Sequence, residues 1–200
     1  NTTEIGTVYS KAELTALRAC CDQHGLLLFL DGARLGSALA CGDMTLPDYA
    51  ALADVFYIGG TKNGALFGEA LVFARRRPDF RWHMKRRGAM LAKGRLLGVQ
   101  FQALLEDGAY LEAARHANAL ALRLRDGVAA LGFPLPVPSP SNQQFPVLPN
   151  GTIARLQDMG YEFEVDHAVD AEHTMIRLVT SWATPERAVE DFLRDLASCK

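Results

Sequence analysis

The chain has 200 residues, 49% of them hydrophobic and 22% charged, with a formal net charge of -2. That length suits one ordinary domain or a large domain with a small one, and the balance is that of a folded globular protein, not a disordered tail. The near-neutral charge argues against nucleic acid and anionic membrane as partners, and no apolar run approaches the ~18 residues of a membrane span. Four cysteines, Cys20, Cys21, Cys41 and Cys199, form no C-x-x-C pair and have no histidines at zinc-ligand spacing. They read as free thiols of a reducing compartment, with the cytoplasm as the expected location and no metal site.

In chain order, Ser10-Lys11-Ala12-Glu13 has the form of a capping box and predicts a helix that carries Leu14, Leu17 and Cys21 on one stripe and stops near Gly25. The apolar run 26–30 then predicts a strand buried on both faces, as in a parallel sheet. A second strand is expected over 54–58 and a third over 69–74, with a glycine-rich turn between them. Residues 82–131 read as mostly helical, with Ala117, Leu120, Leu124, Val128 and Leu131 on one face and Gly132 as the stop. Pro134, Pro136, Pro138 and Pro140 predict an extended connector, and the composition shift there marks the expected division into a domain over 1–131 and a smaller α+β domain over 132–200. The latter is expected to hold a helix over 153–159, strands over 161–165 and 175–179, and a last helix capped by Thr184 with Pro185 at its first position. The whole is an α/β chain.

Three places could carry chemistry. Asp31 ends the first apolar run in Asp31-Gly32-Ala33-Arg34, at the carboxyl end of a strand, where open α/β sheets bind ligands; a turn cap explains it equally. Lys62 sits among Gly59, Gly60 and Gly64, where a ligand can approach the backbone and a lysine can form a Schiff base. The alternative is a solvated lysine beside an Asn63-Gly64 hairpin turn. Arg177 falls on the face of its strand shared with Met175 and Val179, so its guanidinium needs a carboxylate, structural or from a substrate.

Together with Glu4-Ile5-Gly6-Thr7-Val8-Tyr9, the segments Leu30-Asp31-Gly32-Ala33-Arg34-Leu35, Ile58-Gly59-Gly60-Thr61-Lys62-Asn63-Gly64-Ala65 and Arg177-Leu178-Val179-Thr180-Ser181-Trp182 resemble the low-specificity L-threonine aldolase group. That group belongs to the β-eliminating lyase branch of the fold-type-I pyridoxal-phosphate enzymes. The resemblance implies the C-terminal part of a fold-type-I large domain followed by a small α+β domain. It implies Lys62 as the residue bound to pyridoxal phosphate, Asp31 as the partner of the pyridinium nitrogen and Arg34 beside the ring. It further implies Arg177 on the substrate carboxylate, and Thr61 with Arg86, Arg87 and Lys93 toward the phosphate, the basic residues across a subunit boundary or simply on a solvated face. The implied reaction is retro-aldol cleavage of L-threonine, L-allo-threonine or related β-hydroxy-α-amino acids to glycine and an aldehyde, in a homo-oligomer, dimer or tetramer. None of His24, His83, His116, His167 and His173 is singled out as the base. The family's glycine/threonine phosphate loop and ring-stacking group precede the region matched, so the chain is expected to be the C-terminal part of a longer enzyme; taken alone it is expected to bind cofactor weakly or not at all. Another β-eliminating lyase, a racemase or a silent assembly fragment are the alternatives.

Overall fold

The Ser10 hydroxyl accepts from the Glu13 amide at 3.3 Å, and the Glu13 carboxylate takes the Ser10 amide at 2.8 Å. This reciprocal cap starts α1, Lys11–Gln23. The computed structural model describes residues 4–200. Residues 1–3 lie outside the described residues. Two compact units emerge among the described residues, one of residues 9–113 and one of residues 4–8 with 114–200.

In the first unit, α1 ends as its sequence predicts: Gly25 adopts φ +63° and Leu26 N returns to the Cys21 carbonyl at 2.8 Å. Of the expected stripe only Leu14 is fully buried, Leu17 being 40% exposed. The chain then forms β1 (Phe29–Leu30), α2 (Leu35–Cys41), α3 (Leu46–Leu52), β2 (Val55–Gly59), β3 (Glu69–Phe73), α4 (Phe80–Arg86) and α5 (Arg95–Glu106). β1 runs parallel to β2 with Leu30 opposite Phe56, and β2 runs antiparallel to β3 with Gly59 opposite Glu69. One face of this sheet packs Phe56 and Ile58 against Leu35, Tyr49 and Phe101.

Two expectations are corrected here. The run 26–30 is not a strand buried on both faces: only Phe29 and Leu30 are strand, and Leu26, Leu27 and Phe29 are 58%, 74% and 57% exposed. The reason is that β1 sits at an end of the strand order β1-β2-β3 and hydrogen-bonds to β2 alone among the described residues. The connection between β2 and β3 is also no two-residue hairpin, for nine residues, 60–68, separate the two strands.

α6, Ala109–Ala130, continues into the second unit. Its predicted stripe is real: Ala117, Leu120, Leu124 and Val128 are buried, Leu131 is partly so, and Gly132 ends the helical run at φ +84°. The proline-rich stretch carries no helix. It leads into two strands that the sequence did not suggest, β4 (Gln143–Gln144) and β5 (Val147–Pro149), followed by α7 (Asn150–Asp158), β6 (Glu164–Ala168), β7 (His173–Val179) and α8 (Glu186–Ser198). β7 is the hub, pairing antiparallel with β4, β5 and β6. The strand expected over 161–165 lies about one turn later, because Tyr161 and Phe163 fold onto the core instead of entering the ladder. Pro185, not Thr184, takes the N-cap position of α8; the Thr184 hydroxyl accepts from the Ser181 amide at 2.8 Å and closes the preceding turn. Val189, Phe192 and Leu196 then seat α8 on the core shared by α6 and β7.

Candidate active site

Parallel strands deliver the segments that follow them to the same end of a sheet. Here β1 leads into Asp31-Gly32-Ala33-Arg34 and β2 into Gly60 and the 60–68 loop. The two segments touch through backbone: Gly59 N donates to the Gly32 carbonyl at 3.0 Å. A Cβ on Gly32 would lie 1.6 Å from the Tyr57 carbonyl oxygen, and one on Gly59 2.4 Å from the Gly32 carbonyl oxygen. Only glycine permits this approach, which is what the paired glycines in the sequence are for.

Asp31 stands at the rim of that junction. Its Oδ1 accepts from the Tyr57 hydroxyl at 2.5 Å and from the Ala33 amide at 2.9 Å. Partial burial pushes its pKa up, but the Tyr57 and Ala33 hydrogen bonds and the nearby Lys62 ammonium outweigh burial and leave it below the usual carboxylate value. The carboxylate is therefore charged at neutral pH. Tyr57 is the converse: burial, then the Asp31 hydrogen bond, push its phenol well above its ordinary pKa.

The lysine loop is anchored at several points. Gly60 N donates to Glu69 Oε2 at 2.5 Å, and the Gly60 carbonyl accepts from the amides of Asn63 and Ala65 at 2.9 and 3.0 Å. Asn63 is buried, its Nδ2 donating to the Tyr110 carbonyl at 2.7 Å, and the Tyr110 hydroxyl donates back to the Gly59 carbonyl at 2.9 Å. Gln100 of α5 bridges the loop's far side, accepting from Leu66 N at 2.9 Å and donating to the Phe67 carbonyl at 2.5 Å. Between these ties, Thr61 and Lys62 are exposed. Asn63, read from the sequence as a turn residue, is thus an internal clamp.

The predicted residues fall into three groups. Asp31 and Lys62 come together in the first unit, close enough for the ammonium to act on the carboxylate, with Thr61 beside Lys62 in sequence and half-buried Arg34 at the N-cap of α2. Arg86, Arg87 and Lys93 are exposed at the end of α4 and in the turn before α5. Arg177 lies in the second unit. There Ile176 and Leu178 face the core while Val179 is 47% exposed. The Arg177 guanidinium meets a protein carboxylate: its Nη2 pairs with Glu164 Oε2, directly opposite across β6 and β7. Its Nε is buried without a hydrogen-bond partner, and the side chain borders a cavity of about 300 Å³ with Tyr161, Phe163, Thr180 and Phe192. Sequence reasoning missed Tyr57, Glu69, Gln100 and Tyr110. Strand alternation could have flagged Tyr57 as facing away from Phe56 and Ile58, but nothing local names its partner.

Comparison with known proteins separates family from coincidence. The model of the β-eliminating lyases matches residues 1–150. This chain belongs to the β-eliminating lyase family. Among curated relatives of this chain, the low specificity L-threonine aldolase of Pseudomonas sp. (strain NCIMB 10558) is 36% identical over 205 residues, covering 97% of the chain and 56% of the aldolase. A solved threonine aldolase of Leishmania major superposes with a TM-score of 0.95 at 46% identity, over 99% of this chain and 59% of that structure. The serine palmitoyltransferase of Sphingomonas wittichii matches at TM-score 0.67 and 15% identity, over 93% of the chain and 50% of its own, which speaks to fold alone. The chain therefore has the fold of the fold-type-I pyridoxal-phosphate enzymes and spans little more than half the length of the relatives it matches. No helix among the described residues is long and apolar enough to cross a membrane.

Proposed function

We propose that this chain carries the lysine-bearing part of a pyridoxal-phosphate-dependent aldolase that cleaves L-threonine, L-allo-threonine or related β-hydroxy-α-amino acids to glycine and an aldehyde. The observation that carries the reading is that Asp31 and the Lys62 loop follow the parallel strands β1 and β2 to the same end of the sheet, with the Lys62 charge among the influences that lower the Asp31 pKa. The names of the aldolase relatives support the substrate class.

The residues present fit the cofactor. Gly32, Gly59 and Gly60 keep Cβ atoms out of a backbone junction that has no room for them. Asp31 offers an anion for a protonated ring nitrogen, and Lys62 an exposed primary amine for the aldehyde carbon. Arg34 would lie beside the ring, and Thr61 and Lys93 are assigned to the phosphate side. When bound, the cofactor supplies an electron sink for the pair left when the substrate's Cα–Cβ bond breaks.

The chain's own groups do the rest. Asp31 holds the ring-nitrogen proton, because its depressed pKa keeps it a base too weak to take that proton away. Lys62 would move a proton at the substrate's Cα, its loop held at Gly60 and Asn63 and by Gln100. Arg177 binds the substrate carboxylate through its planar fork, which Glu164 occupies in part. The exposed Leu66, Trp82 and Leu96 support apolar subunit contacts in a homo-oligomer, dimer or tetramer. The cytoplasm is the proposed location.

Borohydride reduction in the presence of pyridoxal phosphate, followed by peptide mapping, tests the assignment. In the longer enzyme of which this chain is proposed to be the lysine-bearing part, a pyridoxyl group on Lys62, lost in Lys62→Ala, is expected, and L-threonine should release glycine. Label on another lysine, or ammonia and a keto acid in place of glycine, would sink it.

A further inference from the structure

The carboxylate at this site is aimed by a side chain from the neighbouring strand. In β2, Phe56 and Ile58 enter the core, so Tyr57 projects from the opposite face of the sheet. The parallel register that sets Leu30 against Phe56 brings the next residue, Asp31, beside Tyr57. The ring is fixed by its neighbour Phe29, with centroids 6.2 Å apart and planes tilted by 39°. From that fixed ring the hydroxyl donates to Asp31 Oδ1 at 2.5 Å.

The same oxygen takes the Ala33 amide at 2.9 Å. That second bond is the local turn an aspartate makes with the backbone two residues on, and it is available to any aspartate that opens a turn. The Tyr57 bond crosses 26 residues of sequence and fixes the carboxylate relative to β2, the strand that leads to Lys62. Two donors on one oxygen, from two chain segments, leave little rotational freedom in the side chain.

We infer that Tyr57 is a positioning residue of the cofactor site, its hydroxyl orienting the Asp31 carboxylate assigned above to the ring nitrogen. The inference rests on that reading of the site. Electrostatics agree with it. Partial burial would favour the neutral acid, and the Tyr57 bond is the largest influence holding Asp31 ionised, ahead of the Ala33 amide and the Lys62 ammonium. Lys62 reaches the carboxylate from the loop after β2, while Glu69 of β3 bears on the Tyr57 phenol.

The test is Tyr57→Phe, which keeps the ring against Phe29 and removes the hydroxyl. In the cofactor-free protein, the Asp31 titration followed by carboxyl carbon NMR should rise by roughly half to one pH unit, the size expected for one lost hydrogen bond to a partly solvated carboxylate. In the cofactor-loaded protein, pyridoxal phosphate should bind roughly three- to tenfold more weakly, and the acid limb of its visible absorbance should move to higher pH. An Asp31 midpoint and an acid limb that both stay where they are in Tyr57→Phe overturn the inference. A second comparison covers a variant that folds poorly. In an Asp31→Asn background Tyr57→Phe should have no further effect on cofactor affinity, and additive losses would mean that Tyr57 acts independently of Asp31. Failure of the underlying reading looks different: Lys62→Ala would then leave cofactor attachment unchanged, whatever Tyr57 does.

Discussion

Asn63 and Tyr110 clamp each other's backbone surroundings: the Asn63 amide donates to the Tyr110 carbonyl at 2.7 Å, and the Tyr110 hydroxyl donates to the Gly59 carbonyl at 2.9 Å. Both side chains are buried, so removing either donor costs a buried hydrogen bond. Asn63→Ala and Tyr110→Phe are each expected to lower stability by about 1–3 kcal/mol. Urea denaturation of the two variants measures this, and losses below experimental error would mean the clamp is dispensable.

The Gly32 contact is less forgiving. A methyl group there meets the Tyr57 carbonyl oxygen at 1.6 Å, and backbone cannot yield as a flexible side chain does. Gly32→Ala must separate β2 from the segment after β1, at a cost of about 3 kcal/mol or more, the upper end of overpacking effects. Cofactor binding should fall with it, because the shift moves Asp31 away from Lys62. Gly151→Ala, where an added Cβ has nothing within 4 Å, is the matched control and should remain near the parent in a thermal melt.

Acid sensitivity should run partly through Asp54. Its Oδ2 takes the Leu28 amide at 2.8 Å and Arg18 Nη1 at 2.7 Å, and these two hydrogen bonds hold its pKa below the ordinary value. A depressed carboxylate contributes stability that is complete above the unfolded value, about pH 4, and vanishes as pH falls through the folded value beneath it. Asp54→Asn should therefore be less stable than the parent at neutral pH and lose less stability below pH ~4. Urea midpoints measured across the acid range give the comparison; parallel curves for the two proteins would contradict it.

Glu164 and the proposed substrate carboxylate compete for one guanidinium. The pair is partly exposed, with side-chain accessibilities of 23% for Arg177 and 61% for Glu164, so its strength is at most about 1 kcal/mol. Glu164→Gln is expected to lower KM for L-threonine by up to about fivefold with little change in kcat. Arg177→Ala should raise KM by about ten- to a hundredfold through loss of charge-assisted bonds. Steady-state kinetics of the cofactor-loaded protein decides both.

Local chemistry wrote some of this fold openly into the sequence. The Ser10–Glu13 box, Gly25, the α6 stripe and the apolar positions of α8 each depend on residues within one or two turns of each other. α3 carries an equally local signal, the Thr45–Asp48 capping box, yet its seven residues give too little periodicity to be legible. β4 and β5 hide behind glutamine and proline, and only pairing with β7 makes them strands. At the site, Asp31 and Lys62 were legible as residue types in a suggestive setting. Tyr57 and Glu164 were not, since what defines them is register between strands, and register is a property of two segments at once.

The ties on the 60–68 loop bear on timing. With Gly60, Asn63, Leu66 and Phe67 already bonded to β3, α5 and α6, the backbone under Lys62 is ordered when the chain folds, not when a ligand arrives. An amine carried on a backbone tied at both ends of its loop is presented from a fixed base, so its placement depends on the rotamers of one side chain and not on the loop.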